Sequence, residues 1–292
     1  MSTLHKLIFG NSIDMSEIED ASVQLVVTSP PYYNAPFDYE GLYSSYEEYL
    51  GMLENVAKES FRVLSNGRIF ALNIDDMLVD GKKYSIVSDA TKIFQDVGFS
   101  YRDRIIWKKP DGYLRISRRS GVLLQNPYPM YFYPDNLLEN IIIFQKGKFD
   151  YHSIPKEIRE LSKIDVNEFQ KNNWNKTIWE MTNVLPNSVL EKNIAAFPEE
   201  LPYRLIKLYS YVGETVLDPF LGSGTTMKVA RQLKRNSIGI EIIRTLEKII
   251  RIKTGFDINI NIFNDEDHLE IIERNICKNK NGNIEYSGNK NF

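Results

Sequence analysis

The residues at 28–32 place chemically useful side chains on a stiff loop. In "VVTSPPYYN", residues 26–34, an apolar run ends in Thr28 and Ser29, followed by two prolines and two tyrosines. Prolines end strands because they lack the N–H that a sheet requires and have a fixed φ. Ser29 offers a hydroxyl and Tyr32 an aromatic face. From these residues alone, both a rigid turn after a strand and a functional site remain open.

A second stretch, "VLDPFLGSGTTMKVA" at 216–230, places an acidic residue and a glycine loop between a predicted strand and a predicted helix. Glycines let the backbone approach a ligand, and a helix start presents free N–H groups. A triphosphate loop requires Lys directly after its last glycine, where this chain has Thr225. A dinucleotide loop requires a third glycine, where this chain has Met227. Asp218 would repel a phosphate and favours a cationic ligand, such as the ammonium end of S-adenosylmethionine.

Glu241 lies at the end of the next predicted strand, "SIGIEI". An acidic residue at this place can accept hydrogen bonds from both hydroxyls of a ribose. Alone, Glu241 is equally consistent with a charged strand end. Its position one β-α-β unit after the glycine loop favours the ligand.

Apolar runs that alternate with helical patterns position both stretches and predict a mostly parallel α/β sheet. Strands are expected in "KLIFGNSI", "SVQLVVT", "RIFALNI", "YRDRIIWKK", "NIIIFQK", "ETVLDPF" and "SIGIEI". Helices are expected over about 46–64 and 84–97, and in "PEELPYRLIKLYS", "TTMKVARQLK" and "TLEKIIRIKT". From 148 to 190 the sequence is polar and asparagine-rich without a clear period. The predicted fold is one doubly wound domain with a polar insert.

Composition excludes several classes of protein. The chain has 292 residues, 42% hydrophobic and 26% charged, as ordinary globular proteins have. One cysteine, Cys277, and three scattered histidines predict no disulfide and no metal site. We find no signal-peptide core and no apolar run near the ~20 residues of a membrane span, so we expect a cytoplasmic protein. With a net charge of −3, a nucleic-acid partner requires a local basic surface.

Such a surface is predicted at 102–119, "RDRIIWKKPDGYLRISRR", which has seven basic and two acidic residues. A solvated charged loop is the commoner meaning of a charge run. Here Trp107, Tyr113, Pro110 and Gly112 interrupt the charges. This mixture favours a loop that contacts phosphates and bases.

The motif "SPPY" at 29–32, followed far downstream by "DPFLGSGT" at 218–225, resembles the amino-group DNA methyltransferases of bacteria and archaea. The order is that of their permuted β class, in which the catalytic motif precedes the S-adenosylmethionine loop. The resemblance covers about residues 4–253 and includes "GNSID", "RIIWKKPDG" and "AAFPEELPYRLIKLYS" in family order. It implies a mostly parallel, seven-stranded-type methyltransferase sheet and S-adenosylmethionine as the cofactor.

The resemblance also implies a division of the chain. A catalytic domain is expected over 1–107 and 191–255, and a target-recognition region over 108–190. Residues 256–292 are expected to form a C-terminal extension with a disordered end.

The resemblance assigns roles to the opening residues. The Ser29 hydroxyl and the Pro30 carbonyl are expected to accept N–H bonds from an exocyclic amine, on a loop that Pro31 stiffens. The Tyr32 ring is expected to stack on a base extruded from the duplex, with no part for its hydroxyl. Family members with Ser in the first position more often act on cytosine N4, and those with Asp on adenine N6. Cytosine N4 is therefore the predicted target, and adenine N6 is the alternative.

Cofactor contacts are expected from the glycine loop, from neighbouring strand ends and from the helix before the loop. Asn11 lies where the family usually has Asp, and it can accept a bond from the adenine amino group. Phe197 is expected beside the methionine part of the cofactor. The full predicted set is Asn11, Phe197, Asp218, Pro219, Phe220, Gly222, Gly224, Thr225 and Glu241.

Duplex DNA is the expected substrate, and a cognate restriction endonuclease and a homodimer are expected from the resemblance. The predicted DNA contacts are Lys108, Lys109, Arg115, Arg118 and Arg119, with Trp174 and Trp179 as further candidates. Each is more often a phosphate anchor or a packing residue than a base reader. The competing functions are a nucleotide-dependent oxidoreductase on the same fold, an RNA or small-molecule methyltransferase, and an inactive DNA-binding module.

Overall fold

The computed structural model describes residues 2–35, 41–110, 121–182, 196–257, 266–274, 276–278 and 284–286. Its strands, in chain order, are β1 (Leu4–Phe9), β2 (Val23–Thr28), β3 (Leu64–Ile74), β4 (Met77–Val79), β5 (Lys82–Tyr84), β6 (Ser100–Lys108), β7 (Leu138–Gln145), β8 (Ile178–Glu180), β9 (Thr215–Asp218), β10 (Asn236–Glu241), β11 (His268–Glu273), β12 (Ile276–Lys278) and β13 (Ile284–Tyr286). Its α-helices are α1 (Tyr46–Val63), α2 (Ile86–Val97), α3 (Gly121–Gln125), α4 (Lys156–Leu161), α5 (Val166–Lys171), α6 (Glu200–Tyr209), α7 (Thr225–Gln232) and α8 (Glu247–Thr254).

Nine strands form one sheet in the order β11-β1-β10-β9-β2-β3-β7-β6-β8. All neighbours pair in parallel except at β7, which is antiparallel to both β3 and β6. From β9 the chain continues to β10 on one side, and from β2 it continues to β3 on the other. The boundary between β9 and β2 is therefore a topological switch point, where open α/β sheets bind their ligands at the carboxyl ends of the strands.

Side chains of the central strands alternate between two cores, as the period of two in a strand requires. On β2, Val26 joins the core with α1 and α2, whereas Leu25 and Val27 join the core with α6 and α7. The isoleucine run of β7 is divided in the same way. Burial on both faces explains why these strands appear in the sequence as nearly continuous apolar runs.

The helices begin and end where local chemistry dictates. The Ser45 hydroxyl caps α1 by accepting a bond from the Glu48 N–H at 3.1 Å, and α2 ends at Gly98, whose φ is +121°. Both are ordinary signals for helix boundaries. The helices predicted over 46–64 and 84–97 are confirmed, as are the three predicted after residue 196.

The sheet contains strands from all three parts of the predicted division of the chain. β7 and β8 lie within 108–190, and β11, within 256–292, pairs with β1. The short strand β8 had no periodic signal in the sequence, because it contributes only three residues at a sheet edge. The expectation for the end of the chain falls largely on residues outside the described ones.

None of the helices that the structure describes is long and apolar enough to cross a membrane. Among the same residues, we find no cluster of three or more His, Cys, Asp or Glu side chains that could hold a metal ion.

Candidate active site

The two motifs that the sequence separates by about 190 residues meet at one edge of the sheet. β2 and β9 are parallel neighbours, with Leu25 opposite Val216, so both end at the same edge. There the Thr28 hydroxyl donates a 2.7 Å hydrogen bond to Oδ1 of Asp218. Both side chains are only 1% exposed. The strand before the SPPY motif and the strand before the glycine loop are thus joined directly.

The loop after β2 is held in place by aromatic packing. Tyr33 is buried in a cluster of tyrosines from α1, β5 and the loop before α1, with the Tyr84 ring centroid 4.8 Å away. Asn34 then bonds both backbone groups of Tyr43, each at 2.8 Å. Of the two adjacent tyrosines, Tyr33 is a core residue and Tyr32 remains half-buried at the site.

A buried polar network lies beside Ser29. Because Thr28 pairs with Leu72 on β3, the next residues, Ser29 and Asn73, lie side by side. Asn73 Nδ2 lies 3.3 Å from Ser29 Oγ, 3.3 Å from the Tyr32 hydroxyl and 2.8 Å from Glu139 Oε2. Sequence reasoning gave the Tyr32 hydroxyl no part, but it donates to Glu139 Oε2 at 2.8 Å.

Burial, followed by the charges of Glu139 and Asp75, raises the pKa of the Tyr32 hydroxyl well above its usual range. The hydroxyl therefore stays protonated and acts as a donor. Asn73 is 3% exposed, and its Oδ1 has no hydrogen-bond partner among the described residues. A buried acceptor without a partner is costly, so this oxygen marks a place where a ligand donor would be favourable.

The glycine loop between β9 and α7 is held by buried carboxylates. Asp218 Oδ1 also accepts from the Phe220 N–H at 3.1 Å, and Oδ2 accepts from the Thr226 hydroxyl at 2.6 Å. Glu241 Oε2 accepts from the Gly222 N–H at 2.8 Å. Gly222 and Gly224 have φ values of +56° and +93°, which other residues rarely adopt. The loop therefore has one defined path along the switch point.

Burial is the largest cause of the pKa shifts of both carboxyl groups. It raises the pKa of Asp218 to about 6, against hydrogen bonds that lower it, and it raises the pKa of Glu241. The hydrogen-bond partners given above for Asp218 are neutral hydroxyl and N–H groups. A cationic ligand nearby would compensate this buried charge.

Comparison with known proteins identifies the family. The family model N6_N4_Mtase, described as DNA methylase, matches residues 23–251. The chain belongs to this DNA methylase family. M.MjaI, a type II methyltransferase of Methanocaldococcus jannaschii, is 36% identical over 288 residues, covering 87% of this chain and 92% of that protein. M.MthZI, a type II methyltransferase of Methanothermobacter thermautotrophicus, is 34% identical over 325 residues, covering 100% and 87%.

Solved structures confirm the predicted α/β methyltransferase fold of this DNA methylase. The TTHA0409 protein of Thermus thermophilus, complexed with S-adenosyl-L-methionine, matches with a TM-score of 0.71 and 27% identity over 92% of this chain and 99% of that one. The cytosine-N4-specific PvuII DNA methyltransferase shares the fold, with a TM-score of 0.65 and 19% identity over 89% of each chain. S-adenosylmethionine is the cofactor, and family membership excludes the oxidoreductase considered above.

The residues of this DNA methylase fit such a cofactor. Two buried carboxylates at adjacent strand ends and a glycine loop offer partners for an ammonium group and for ribose hydroxyls. Asn11 follows β1, and the neighbouring Gly10 N–H donates to the Glu241 carbonyl at 3.0 Å, so Asn11 lies beside this edge. Asn11 Oδ1 accepts from the Ile13 N–H at 3.1 Å, and Phe197 is buried at 9% exposure. The cofactor roles of these residues remain predictions.

The predicted DNA contacts divide into three groups. Lys108 is partly exposed and lies 3.1 Å from Glu180. Lys109 is only 4% exposed and bonds Glu139, so we assign it to the polar network and not to a phosphate contact. Trp174 and Trp179 are buried, at 5% and 1% exposure, and are packing residues. Arg115, Arg118 and Arg119 lie outside the described residues.

Sequence reasoning missed several residues of this site: Thr28, Asn73, Glu139, Thr226 and Lys253. Asn73 and Glu139 carried a signal, because each is a polar residue in an otherwise apolar strand, "ALNI" and "LENIIIF". Lys253 carried none, yet its ammonium donates to Ser223 and Thr225 of the glycine loop at 2.7 and 2.6 Å. Only the fold brings α8 next to that loop.

We expect the affinity for S-adenosylmethionine to fall as the pH falls through about 6, the pKa of Asp218. Protonation removes the charge that attracts the cationic end of the cofactor, and the loss approaches about tenfold per pH unit below the pKa. Folding stability does not produce this loss. The folded pKa lies above the ordinary value of 3.8, so this carboxyl favours folding at low pH and loses that contribution as the pH rises from 3.8 to about 6.

Calorimetric titration from about pH 5 to 8 measures this dependence. Asp218→Asn keeps an acceptor for the Thr28 hydroxyl without a charge, so its affinity at the alkaline end should be about ten- to a hundredfold weaker, and its dependence on pH should be shallower than that of the wild type. If Asp218→Asn retains the wild-type affinity and slope, Asp218 is not the group that attracts the cofactor.

Proposed function

We propose that the chain is a site-specific DNA methyltransferase that moves the methyl group of S-adenosylmethionine to the N4 amine of a cytosine extruded from duplex DNA. The observation that carries the proposal is the Thr28–Asp218 hydrogen bond, because it places Ser29 next to the glycine loop. Ser29, a serine where adenine-specific relatives more often have aspartate, favours cytosine N4. Adenine N6 is the alternative target.

The geometry suits an amine acceptor. A base amine is a weak nucleophile because its lone pair is conjugated with the ring, so the enzyme has to orient it and stabilise developing charge. Ser29 Oγ and the Pro30 carbonyl supply two acceptors, and the two prolines hold that carbonyl in place. Ser29 accepts one bond from Asn73 and keeps a second lone pair for an amine N–H. No strong base is required, because the nitrogen becomes acidic once it is methylated.

A base can reach these acceptors only after it leaves the stack. Tyr32 is half-buried, with its hydroxyl end bonded to Glu139, and the proposal uses its ring as the stacking face. Aromatic rings hold extruded bases without regard to sequence, since every base has a π-face. Tyr32 thus connects the loop after β2 to the buried polar network.

We propose that DNA contacts extend along the segment between β6 and β7. Because β7 runs antiparallel to β3, this segment returns to the sheet at the edge where Ser29 lies. Several of its described aromatic and apolar residues are strongly exposed: Tyr128 is 65%, Met130 90% and Phe132 67% exposed. Exposed apolar patches of this kind mark interaction sites, and apolar side chains can enter base steps.

The arginines of this segment give a second prediction. Replacing Arg115, Arg118 and Arg119 together by alanine is expected to weaken binding to any duplex and to flatten the slope of log K against log salt by about 0.9 per lost phosphate contact. Fluorescence anisotropy at several salt concentrations measures the slope. Lys58→Ala/Lys92→Ala, which removes two exposed cations of α1 and α2, serves as the control. Equal slopes for the triple variant and the wild type would contradict the contact.

The relatives M.MjaI and M.MthZI are named type II methyltransferases. We propose by extension that this chain acts in the cytoplasm within a restriction-modification system, with a cognate endonuclease of the same sequence specificity. A homodimer is part of the same proposal. Sedimentation equilibrium of the free protein tests it, and a monomer at all concentrations would exclude it.

Transfer of labelled methyl groups tests the proposed reaction. Unmodified genomic DNA provides many sequences, and digestion to nucleosides then locates the label. We expect N4-methyldeoxycytidine. N6-methyldeoxyadenosine would replace the cytosine assignment by its alternative. Label on RNA in a parallel reaction, with none on DNA, would overturn the DNA substrate.

A further inference from the structure

A buried ion pair lies next to Tyr32 and Asn73 and has no part in the reaction proposed above. Lys109 and Glu139 are 4% and 7% exposed, and Lys109 Nζ lies 2.5 Å from Glu139 Oε1. Withdrawing two charges from water is costly, and apolar residues of similar size often stabilise a core better. Such a pair beside an active site is therefore a candidate for a functional role.

The second oxygen of this carboxylate links Tyr32, the proposed stacking residue, to Ser29, the proposed amine acceptor. Glu139 Oε2 accepts from the Tyr32 hydroxyl and from Asn73 Nδ2, both at 2.8 Å. The same Asn73 nitrogen lies 3.3 Å from Ser29 Oγ. One oxygen atom thus fixes the tyrosine ring on one side and, through Asn73, the serine hydroxyl on the other.

We propose that Glu139 is a positioning residue for methyl transfer: its Oε2 atom holds Tyr32 and Asn73 in the arrangement that the substrate amine and base require. Lys109 binds Oε1 and so prevents the carboxylate from rotating away. This inference rests on the proposed function.

The surroundings of the pair support this role. Lys109 follows β6 and Glu139 lies on β7, and Glu139 is in register with Trp107 across this antiparallel pair. The Lys109 N–H donates to the Leu137 carbonyl at 2.9 Å, and its ammonium lies 5.1 Å from the Trp107 ring centroid. β6 and β7 therefore hold the pair in place. The Glu139 carboxylate is a fixed acceptor for Tyr32 in the loop after β2.

The network also determines which way the Asn73 amide points. Its nitrogen has to face Glu139 Oε2, because a carboxylate accepts and cannot donate. The amide oxygen is then the atom left without a partner among the described residues. Rotation of the amide would place an oxygen against the carboxylate and a nitrogen away from Ser29. Glu139 thereby orients the Asn73 amide so that its nitrogen faces Ser29. Ser29 accepts this bond and keeps its second lone pair for the substrate amine.

Two paired substitutions separate this positioning from the stability of the ion pair. Glu139→Gln/Lys109→Met removes both charges but leaves a carbonyl oxygen that can accept from Tyr32 and Asn73. Glu139→Leu/Lys109→Met also removes both charges and is of similar volume, but it has no acceptor. Replacing both partners avoids an unpaired buried charge in either variant. Single-turnover methyl transfer and cofactor affinity are measured for both.

We expect the glutamine variant to retain most of the wild-type rate. The leucine variant should be about ten- to a hundredfold slower, because it loses the acceptor for both Tyr32 and Asn73. Its cofactor affinity should be unchanged, and a mismatch at the target base should partly restore its rate, because extrusion is then easier. Equal rates for the two variants, whether both high or both low, would overturn the proposal. A wild type without any methyl transfer would instead overturn the proposed function.

Tyr32→Phe tests one of the two bonds if the leucine variant fails to fold. It removes the donor to Glu139 and keeps the ring. We expect a rate several-fold to about tenfold lower at unchanged cofactor affinity, with partial recovery on mismatched DNA. A wild-type rate for Tyr32→Phe would show that the hydroxyl does not position the ring and would overturn the Tyr32 part of the proposal.

Discussion

Ser29→Ala is expected to lower the single-turnover rate of methyl transfer on the order of 10²-fold, by comparison with the removal of one oxyanion-hole donor. The substitution removes one of two acceptors for the substrate amine and leaves the Pro30 carbonyl in place. Affinity for S-adenosylmethionine should change little, because no hydrogen bond described for the glycine loop involves the Ser29 side chain. Rapid-quench kinetics with labelled cofactor measures the rate, and calorimetry measures the affinity.

Ser60→Ala provides the matched control. Ser60 is fully buried on α1, and its hydroxyl has no partner among the described residues, so its loss should leave the rate unchanged. If Ser29→Ala keeps the wild-type rate, the serine hydroxyl does not act on the amine. If it instead loses cofactor affinity and rate together, Ser29 supports the fold of the site and the proposed contact with the amine is wrong.

Tyr32→Ala is expected to reduce methyl transfer by roughly five- to 150-fold, the equivalent of the 1–3 kcal/mol that base stacking contributes in single-strand binding proteins. The loss should be smaller on duplexes with a mismatch at the target base, since less energy is required to extrude that base. Cofactor affinity should remain near the wild-type value. Single-turnover rates on matched and mismatched duplexes are the measurement.

The neighbouring tyrosine supplies the contrast. Tyr33 is 7% exposed within the tyrosine cluster, so Tyr33→Ala should lose about 3–5 kcal/mol of stability, and no mismatch should compensate for it. Thermal unfolding of both variants separates the two effects. If Tyr32→Ala resembles Tyr33→Ala in stability and ignores the mismatch, Tyr32 is a packing residue.

The parts of the fold that could be predicted from the sequence are those with a signal in neighbouring residues. The helix over 46–64 is amphipathic and has a serine cap, and the central strands have apolar runs, so their existence follows from nearby residues. The expectation that Ser29 and the glycine loop belong to one site came from the family resemblance and not from local patterns. The structure adds the physical link, the Thr28–Asp218 bond, which joins residues far apart in the sequence.

The polar network could not be predicted, because it depends on register between strands. Asn73 and Glu139 become neighbours only when β7 pairs antiparallel with β3. Lys109 is predicted as a DNA contact because it belongs to a basic run interrupted by aromatic residues, whereas its neighbour in the fold is a buried carboxylate. The two tyrosines at 32 and 33 lie in a loop, where no periodicity shows which one enters the core.

A structure of the protein with duplex DNA and an unreactive analogue of S-adenosylmethionine tests the central claim most directly. The duplex should contain the sequence at which methylated bases are found. We predict an extruded cytosine stacked on Tyr32, with its N4 atom within hydrogen-bond distance of Ser29 Oγ and of the Pro30 carbonyl, and facing the glycine loop. A target base that stays in the helix, or an amine that faces away from Ser29, would contradict the account.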